Sequence, residues 1–414
     1  MQRMYIHSIQ IKNYKMFQNV TISQLPQMCV FVGANGTGKS TLFDVFSFLK
    51  DALTHNVRQA LAKRGGFREV VSRNQEGPIF FEIKFRESAE MPLVTYQLEI
   101  GLLGTQPIIQ KELLQYRRGQ RGRPWRFLDF KNGQGWAITN EADYDEKPNA
   151  EIEREEQRLD SNDILAIKGL GQFQRFRAVV AFRRLIENWH ISDIHIGDAR
   201  ESQEAGYAEH ISTRGENLPL VAQYLYENYR ESFSQVLEQM QRRVPGVSKV
   251  EATQTEDGRI VLKFQDGAFR DPFIARYVSD GTIKMFAYLL LLYDPSPYPL
   301  LAIEEPENQL YPELLIQLAE EFRAYAQRGG QAFISTHSYD FLNGVKLEEI
   351  FCLIKKDGYT RITRASDQQR LKDLVREGDL PGYLWRQKLL VENRSQSFNV
   401  FVSGVRRIVG ESVN

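Results

Sequence analysis

The chain has 414 residues, too many for one ordinary core, so two lobes or one large α/β body with an inserted subdomain is expected. Hydrophobic residues make up 42% and charged residues 26%, which excludes wholesale disorder. Lys plus Arg is 53 and Asp plus Glu is 53, so there is no bulk attraction to nucleic acid or anionic membrane, and any such binding must come from a local patch.

Met1–Gln10 has no long apolar segment, and the best apolar run of the chain, Phe286–Tyr293, is only about two helical turns. A cytoplasmic protein without a membrane span is expected. Tyr5–Ile11 alternates like a strand, Val20–Ile22 is strand-like, and Met28–Val32 is a continuous apolar run that fits a strand buried on both faces. Cys29 in that run and Cys352 in another read as small core residues, not as a disulfide or metal framework. A glycine-rich loop follows, and Thr41–Leu53 reads as a helix with Leu42, Val45, Phe46 and Leu49 on one face. From about 78 to 139 the pattern is that of an antiparallel sheet. The polar, acidic stretch from about 140 to 162 reads as a solvated helix or a mobile insertion. Phe173–Trp189 and Leu218–Arg243 read as helices, and Val247–Phe269 as a hairpin turned at Asp257-Gly258. A helix over Gly281–Tyr293 is followed by buried strand–helix units beginning at Leu300 and Gln331 and by a strand over Ile350–Ile354.

Gly33-Ala-Asn35-Gly36-Thr-Gly38-Lys39-Ser40 fits the spacing G-x-x-x-x-G-K-[ST], and it stands between a buried strand and a helix, as the chemistry requires. The glycines let the backbone curl so that successive N–H groups, from Asn35 and Gly36 through Gly38 to Thr41, point at phosphates. The following helix aims its positive end at the same charge. Lys39 would neutralise the β- and γ-phosphates of ATP and the Ser40 hydroxyl would ligate Mg²⁺. Leu300–Ile303 is an apolar strand that runs into Glu304-Glu305-Pro306-Glu307. Such a strand end lets the first carboxylate, Glu304, hold the metal and the second, Glu305, orient or deprotonate the attacking water.

In this order the motifs resemble those of ABC-type ATPase heads of the RecF/SMC group. Val278-Ser279-Asp-Gly281-Thr282 looks like the signature motif, and Ile334-Ser-Thr-His337-Ser338 like the switch histidine after the next strand. Ile9–Phe17 resembles the opening of that group, in which a basic residue, here Lys15, packs on the nucleotide base. The D-loop region has Tyr311 before Pro312, where many relatives carry His. Arg64-Gly-Gly-Phe-Arg-Glu-Val and Gly382-Tyr-Leu-Trp extend the resemblance to the stand-alone, RecF-like ATPases of bacteria, a group often found in antiviral defence operons.

The resemblance implies an α/β P-loop NTPase of ABC-type head architecture, with a mixed sheet core, an antiparallel β subdomain and a helical signature lobe. It implies one head over 1–390, with its nucleotide-binding core at about 1–140 and 295–390 and its lobe at about 141–294. It further implies a homodimer in which Ser279 and the N–H groups opening the Gly281 helix close over ATP held by the opposite subunit, while His337 senses the γ-phosphate. Two heads would join on ATP and part on hydrolysis. No position for a Q-loop glutamine is distinguished by the sequence.

The roughly 240 residues between Ser40 and Ser279 show no extended heptads, so an armless head is expected. No nuclease or toxin motif follows the last strand, which suggests a separately encoded effector nuclease or toxin as partner, with antiviral defence as the setting. A RecF-type repair ATPase and a slow-turnover, ATP-bound scaffold are the alternatives. Arg117–Arg126 interleaves Arg with Trp125 and glycines, a pattern for DNA or RNA contact or for a charged hairpin turn. Arg175, Arg177, Arg183 and Arg184 read as a helix face, and Tyr224, Tyr226 and Tyr229 as lobe packing. Residues 391–414 lie beyond the resemblance and read as a docking tail.

Overall fold

The computed structural model describes residues 4–86, 93–116, 124–140 and 153–391. Its centre is a six-stranded sheet of β3 (Met28–Val32), β10 (Trp189–Ser192), β15 (Leu300–Glu304), β16 (Ala332–Thr336), β17 (Ile350–Lys356) and β18 (Tyr359–Arg364), in the order β10-β15-β16-β3-β17-β18. All neighbours are parallel except the antiparallel β17–β18 pair at one edge.

The continuous apolar run of β3 exists because the sheet is covered on both sides. Successive side chains alternate between faces. Cys29 and Phe31 join a core built on the helix Lys39–Thr54, whereas Met28, Val30 and Val32 join a second core built on the helices Asp280–Leu292 and Pro312–Gln327. Phe31 meets Phe333 edge-on and stacks on Phe351, each at 5.5 Å, and each such buried ring contributes about 2–3 kcal/mol.

An eight-stranded antiparallel sheet closes the first core. It runs β2 (Phe17–Ile22), β1 (Tyr5–Tyr14), β4 (Ile79–Arg86), β5 (Val94–Leu103), β6 (Gln106–Tyr116), β7 (Trp125–Lys131), β8 (Gln134–Ile138), β9 (Arg154–Arg158). Ile79, Phe81, Ile83 and Phe85 alternate inward along β4, and Phe85 stacks 4.8 Å from Phe182 of the helix Arg177–Glu187. A smaller sheet of β11 (Gln203–Glu204), β12 (Val247–Gln254), β13 (Arg259–Asp266) and β14 (Phe273–Ile274) packs with the helices Leu218–Asn228 and Arg230–Arg243.

Four expectations change. The helix over Phe173–Trp189 is shorter, Arg177–Glu187, and Trp189 begins β10, which pairs with β15 in the central sheet. A four-residue buried strand is too short to interrupt an apolar helical pattern recognisably. The segment read as a helical lobe therefore contributes a strand to the central sheet and carries a sheet of its own. The helix over Leu218–Arg243 breaks at Tyr229, with φ −136° and ψ 59°, where the ring packs 5.7 Å from Tyr224. Finally, the described end of the acidic stretch is neither helix nor mobile insertion but β9, and Arg154 lies 4.3 Å over the Trp136 ring.

Residues 117–123 of the arginine tract, 141–152 of the acidic stretch and 392–414 of the tail lie outside the described residues. Of that tract's described arginine, Arg126 is ion-paired to Asp129 at 2.7 Å. Arg175 pairs with Glu155 and Arg183 with Glu187.

Candidate functional site

Strand β3 delivers the chain to Gly33, where tight packing leaves no room for a side chain. A Cβ there would stand 2.4 Å from Thr37 Oγ1 and 2.7 Å from the Leu353 carbonyl. Gly38 has φ 100°, a left-handed conformation natural to glycine, and its Cβ would meet Thr360 Oγ1 at 2.6 Å. The loop is stitched by Thr37 Oγ1 donating to the Ala34 carbonyl at 2.8 Å and by Thr360 Oγ1 donating to the Thr37 carbonyl at 2.8 Å. Lys39 Nζ folds back on the curl and donates to the Gly33 carbonyl at 2.8 Å. Ala34, Asn35, Gly36 and Ser40 face outward. The helix that follows has no side-chain cap and no acid in its first turn, so its leading N–H groups are available to an anion.

Two strands away, Glu304 ends β15 and faces the loop. The Ser40 side chain is near enough to its carboxylate to favour the charged form. Burial holds the Glu304 carboxyl above the ordinary carboxylate range; Ser40 opposes this, and the charges of Asp193, Glu305 and Asp44 add to it. Two oxygen donors of this kind suit a hard divalent cation such as Mg²⁺. Glu305 adopts φ 46°, costly for a residue with a Cβ by on the order of 1 kcal/mol. Its N–H still donates to the Ser335 carbonyl at 2.9 Å, so the sheet ladder is kept while the side chain is swung outward. The Glu305 carboxylate lies 3.3 Å from His337 Nδ1 and accepts a hydrogen bond from Asn308. A cleft of about 840 Å³ beside the loop is lined by Asn35, Thr37, Glu305, His337, Lys355 and Trp385.

Asn35, Gly36, Gly38, Lys39, Ser40, Thr41, Glu304, Glu305 and His337 thus come together at the carboxyl ends of β3, β15 and β16. Among the described residues, the contacts of Ser279 and Gly281 are with other groups. Ser279 caps the helix Asp280–Leu292 by accepting from the Thr282 N–H at 3.3 Å, and a Cβ on Gly281 would stand 3.0 Å from the Gln309 carbonyl. Lys15, at φ 47°, donates to Asp44 Oδ2 at 2.5 Å, on the second turn of the phosphate-loop helix. Asp44 also accepts from Tyr14 and Arg64, each at 2.7 Å. Burial would raise the Asp44 carboxyl, but the Lys15 and Tyr14 bonds and the Arg64 charge hold it below its ordinary value.

Three residues of this site escaped the sequence analysis. Asp193 follows β10, and the register Ser192↔Ile303 puts it level with Glu304. Nothing local announces it, since β10 itself was hidden in a helical pattern. Arg64, in a motif noted only for its resemblance, bridges Asp44 and Asp51. Glu307, the last acid of Glu304–Glu307, accepts from the Thr336 hydroxyl at 2.8 Å and the His337 N–H at 2.9 Å. Its spacing from the strand end was visible, but its role was not.

Residues 28–343 match the family described as "AAA domain, putative AbiEii toxin, Type IV TA system". Among solved structures, the chain is similar to an SMC head bound to the C-terminal winged-helix domain of ScpA, at 13% identity and TM-score 0.52, covering 87% of this chain and 97% of that one. It is also similar to an SMC head with an extended coiled coil bound to the C-terminal domain of ScpA, derived from Pyrococcus furiosus, at 13% identity and TM-score 0.50, covering 90% and 100%. Comparison with curated proteins finds no match. Among the described residues, no helix is long and apolar enough to cross a membrane. The family match spans most of the chain and contains the phosphate loop, Glu304, Glu305 and His337: this protein belongs to that AAA family of P-loop ATPases, and its fold is that of an SMC/ABC-type ATPase head.

Proposed function

We propose that the chain binds ATP with Mg²⁺ at the phosphate loop, hydrolyses it, and closes on a second copy of itself while ATP is bound. The backbone N–H groups from Asn35 to Thr41 and the Lys39 ammonium hold the phosphates, and Ser40 and Glu304 hold the metal. Mg²⁺, when bound, draws charge from the phosphates. Glu305 accepts the proton of the attacking water, and His337 turns toward the terminal phosphate. Lys15 flanks the base. Ser279 and the N–H groups around Gly281 complete the site from the second copy. The observation that carries this reading is the Glu305–His337 contact of 3.3 Å at the mouth of a loop whose Lys39 is folded onto the Gly33 carbonyl, a hydrolytic arrangement beside an anion cradle.

The same cycle is proposed to control a separately encoded effector, a nuclease or toxin, in antiviral defence. The family's description as a toxin of a type IV toxin–antitoxin system supports a defence setting.

ATP turnover and oligomeric state test the reading together. Glu305→Gln should retain ATP, lose about a hundredfold in turnover and accumulate as a dimer by mass photometry. Chains inactivated separately by Lys39→Ala and Ser279→Arg should regain turnover when mixed, because one heterodimer site is then built from two intact halves. No binding of adenine nucleotide with magnesium, or full turnover by Glu305→Gln, overturns the hydrolytic reading; failure of the mixture to recover overturns the shared site.

A further inference from the structure

Glu307 is more enclosed than the neighbouring Glu305. Its side chain is 8% exposed, against 33% for Glu305. One oxygen, Oε1, accepts from the Thr336 hydroxyl at 2.8 Å and from the His337 N–H at 2.9 Å, and stands 3.4 Å from His337 Nδ1. The other, Oε2, is shielded from solvent without a hydrogen-bond partner. A buried acceptor left open in this way costs about 1–3 kcal/mol. Behind it, on the helix that Ser279 caps, lies Lys284, also buried; burial disfavours its ammonium form and the Glu307 charge opposes that.

The ring geometry gives the carboxylate a task. His337 Nδ1 lies between two acids, 3.3 Å from Glu305 and 3.4 Å from Glu307, and it carries at most one hydrogen. Were Glu305 to take that hydrogen, the acid placed to receive a proton from water would be occupied by the imidazole. Glu307 is the alternative acceptor, already locked by two other donors and unable to turn away.

We propose that Glu307 is a positioning residue: it takes the Nδ1–H of His337, which leaves Nε2 for the terminal phosphate and keeps Glu305 free for water. This rests on the hydrolytic reading of Glu305 and His337 given above. Because Glu307 acts through His337, its removal matters only while the imidazole is present.

The test is a double-mutant cycle on ATP turnover with Glu307→Gln, His337→Ala and the pair. The amide oxygen of Gln keeps an acceptor for Thr336 and His337, while the charge is removed and an NH2 takes the place of the unpartnered oxygen. Glu307→Gln alone should lower kcat about tenfold, with KM for ATP within about twofold, and should add nothing to His337→Ala. An equal loss in both backgrounds, or an unchanged kcat in the single variant, overturns the positioning role while leaving the hydrolytic reading standing. Turnover indifferent to His337→Ala overturns that reading of His337 and this proposal with it. A second measurement needs no altered acid: ¹⁵N NMR of the histidine rings, with His337 assigned by its loss in His337→Ala, should show hydrogen on Nδ1. A ring with Nδ1 bare and hydrogen on Nε2 overturns the proposal.

Discussion

Two helix starts in this molecule, both at glycine- or serine-led turns, are finished in opposite ways. The helix Lys39–Thr54 begins after Gly38 with no side-chain cap and no acid in its first turn, and its leading N–H groups face the open phosphate loop. The helix Asp280–Leu292 is capped by its own Ser279 and carries Asp280 in its first turn, ion-paired to Arg200. One end is left without a side-chain cap, and the other is satisfied by its own serine. The first is a complete cradle, since Lys39, Ser40 and Glu304 surround it in the same chain, while the second has no such company. An uncapped start leaves N–H groups able to accept an anion, whereas a start capped by its own serine is stable as it stands.

A third helix start sets the scale. The short helix Ala166–Leu170 is capped from far away in sequence by Glu112 of β6, whose oxygens accept from the N–H groups of Ala166 at 2.6 Å and Ile167 at 3.0 Å and from Tyr96 at 3.1 Å. Burial pushes the Glu112 carboxyl up to about 7, although those three bonds oppose it.

Breaking the first end should have the largest effect. Lys39→Ala removes a cation from two phosphates and should cost about 4 kcal/mol of nucleotide affinity, roughly a thousandfold, read by titration calorimetry. A loss below tenfold would show that the backbone cradle alone binds.

The remote cap should show itself through pH. A carboxyl raised in the folded chain adds stability below its unfolded value, near 4.5, and loses it as pH climbs through about 7. The wild type should therefore lose on the order of 3 kcal/mol more than Glu112→Gln between about pH 4.5 and pH 7.5, by denaturant unfolding at each pH. Parallel curves would mean that Glu112 is not the group responsible.

The smallest effect belongs to the self-capped end. Ser279→Ala should cost only about 1 kcal/mol of stability and leave the affinity of the single chain for nucleotide unchanged. A fall in that affinity would place Ser279 in the cradle of its own chain and erase the contrast between the two ends.

Much of this was written in local pattern. The run Met28–Val32, the glycine spacing to Ser40, the amphipathic helix after it and the apolar strand into Glu304 and Glu305 each depend on neighbours within a dozen residues, and each stands where expected. What was misjudged depends on distant partners. β10 is a strand because β15 lies alongside it, and β9 because β8 does. The sequence was also silent on the bond from Lys15 to Asp44, since the β1–β2 turn is pinned to the phosphate loop through Thr360, whose N–H donates to the Met16 carbonyl at 2.9 Å.

The order of residues along the chain thus determined which chemistry is present: a phosphate loop, a pair of acids at a strand end, a histidine after the next strand and a serine-led helix. It did so because backbone curl, helix polarity and strand alternation are short-range properties. Only the packed sheets decided which of these groups meet. They put Glu307 against His337 and Asp193 level with Glu304, and they left Ser279 capping its own helix. Those contacts span strands far apart in sequence, and burial, which sets their strength, exists only once the sheets have closed.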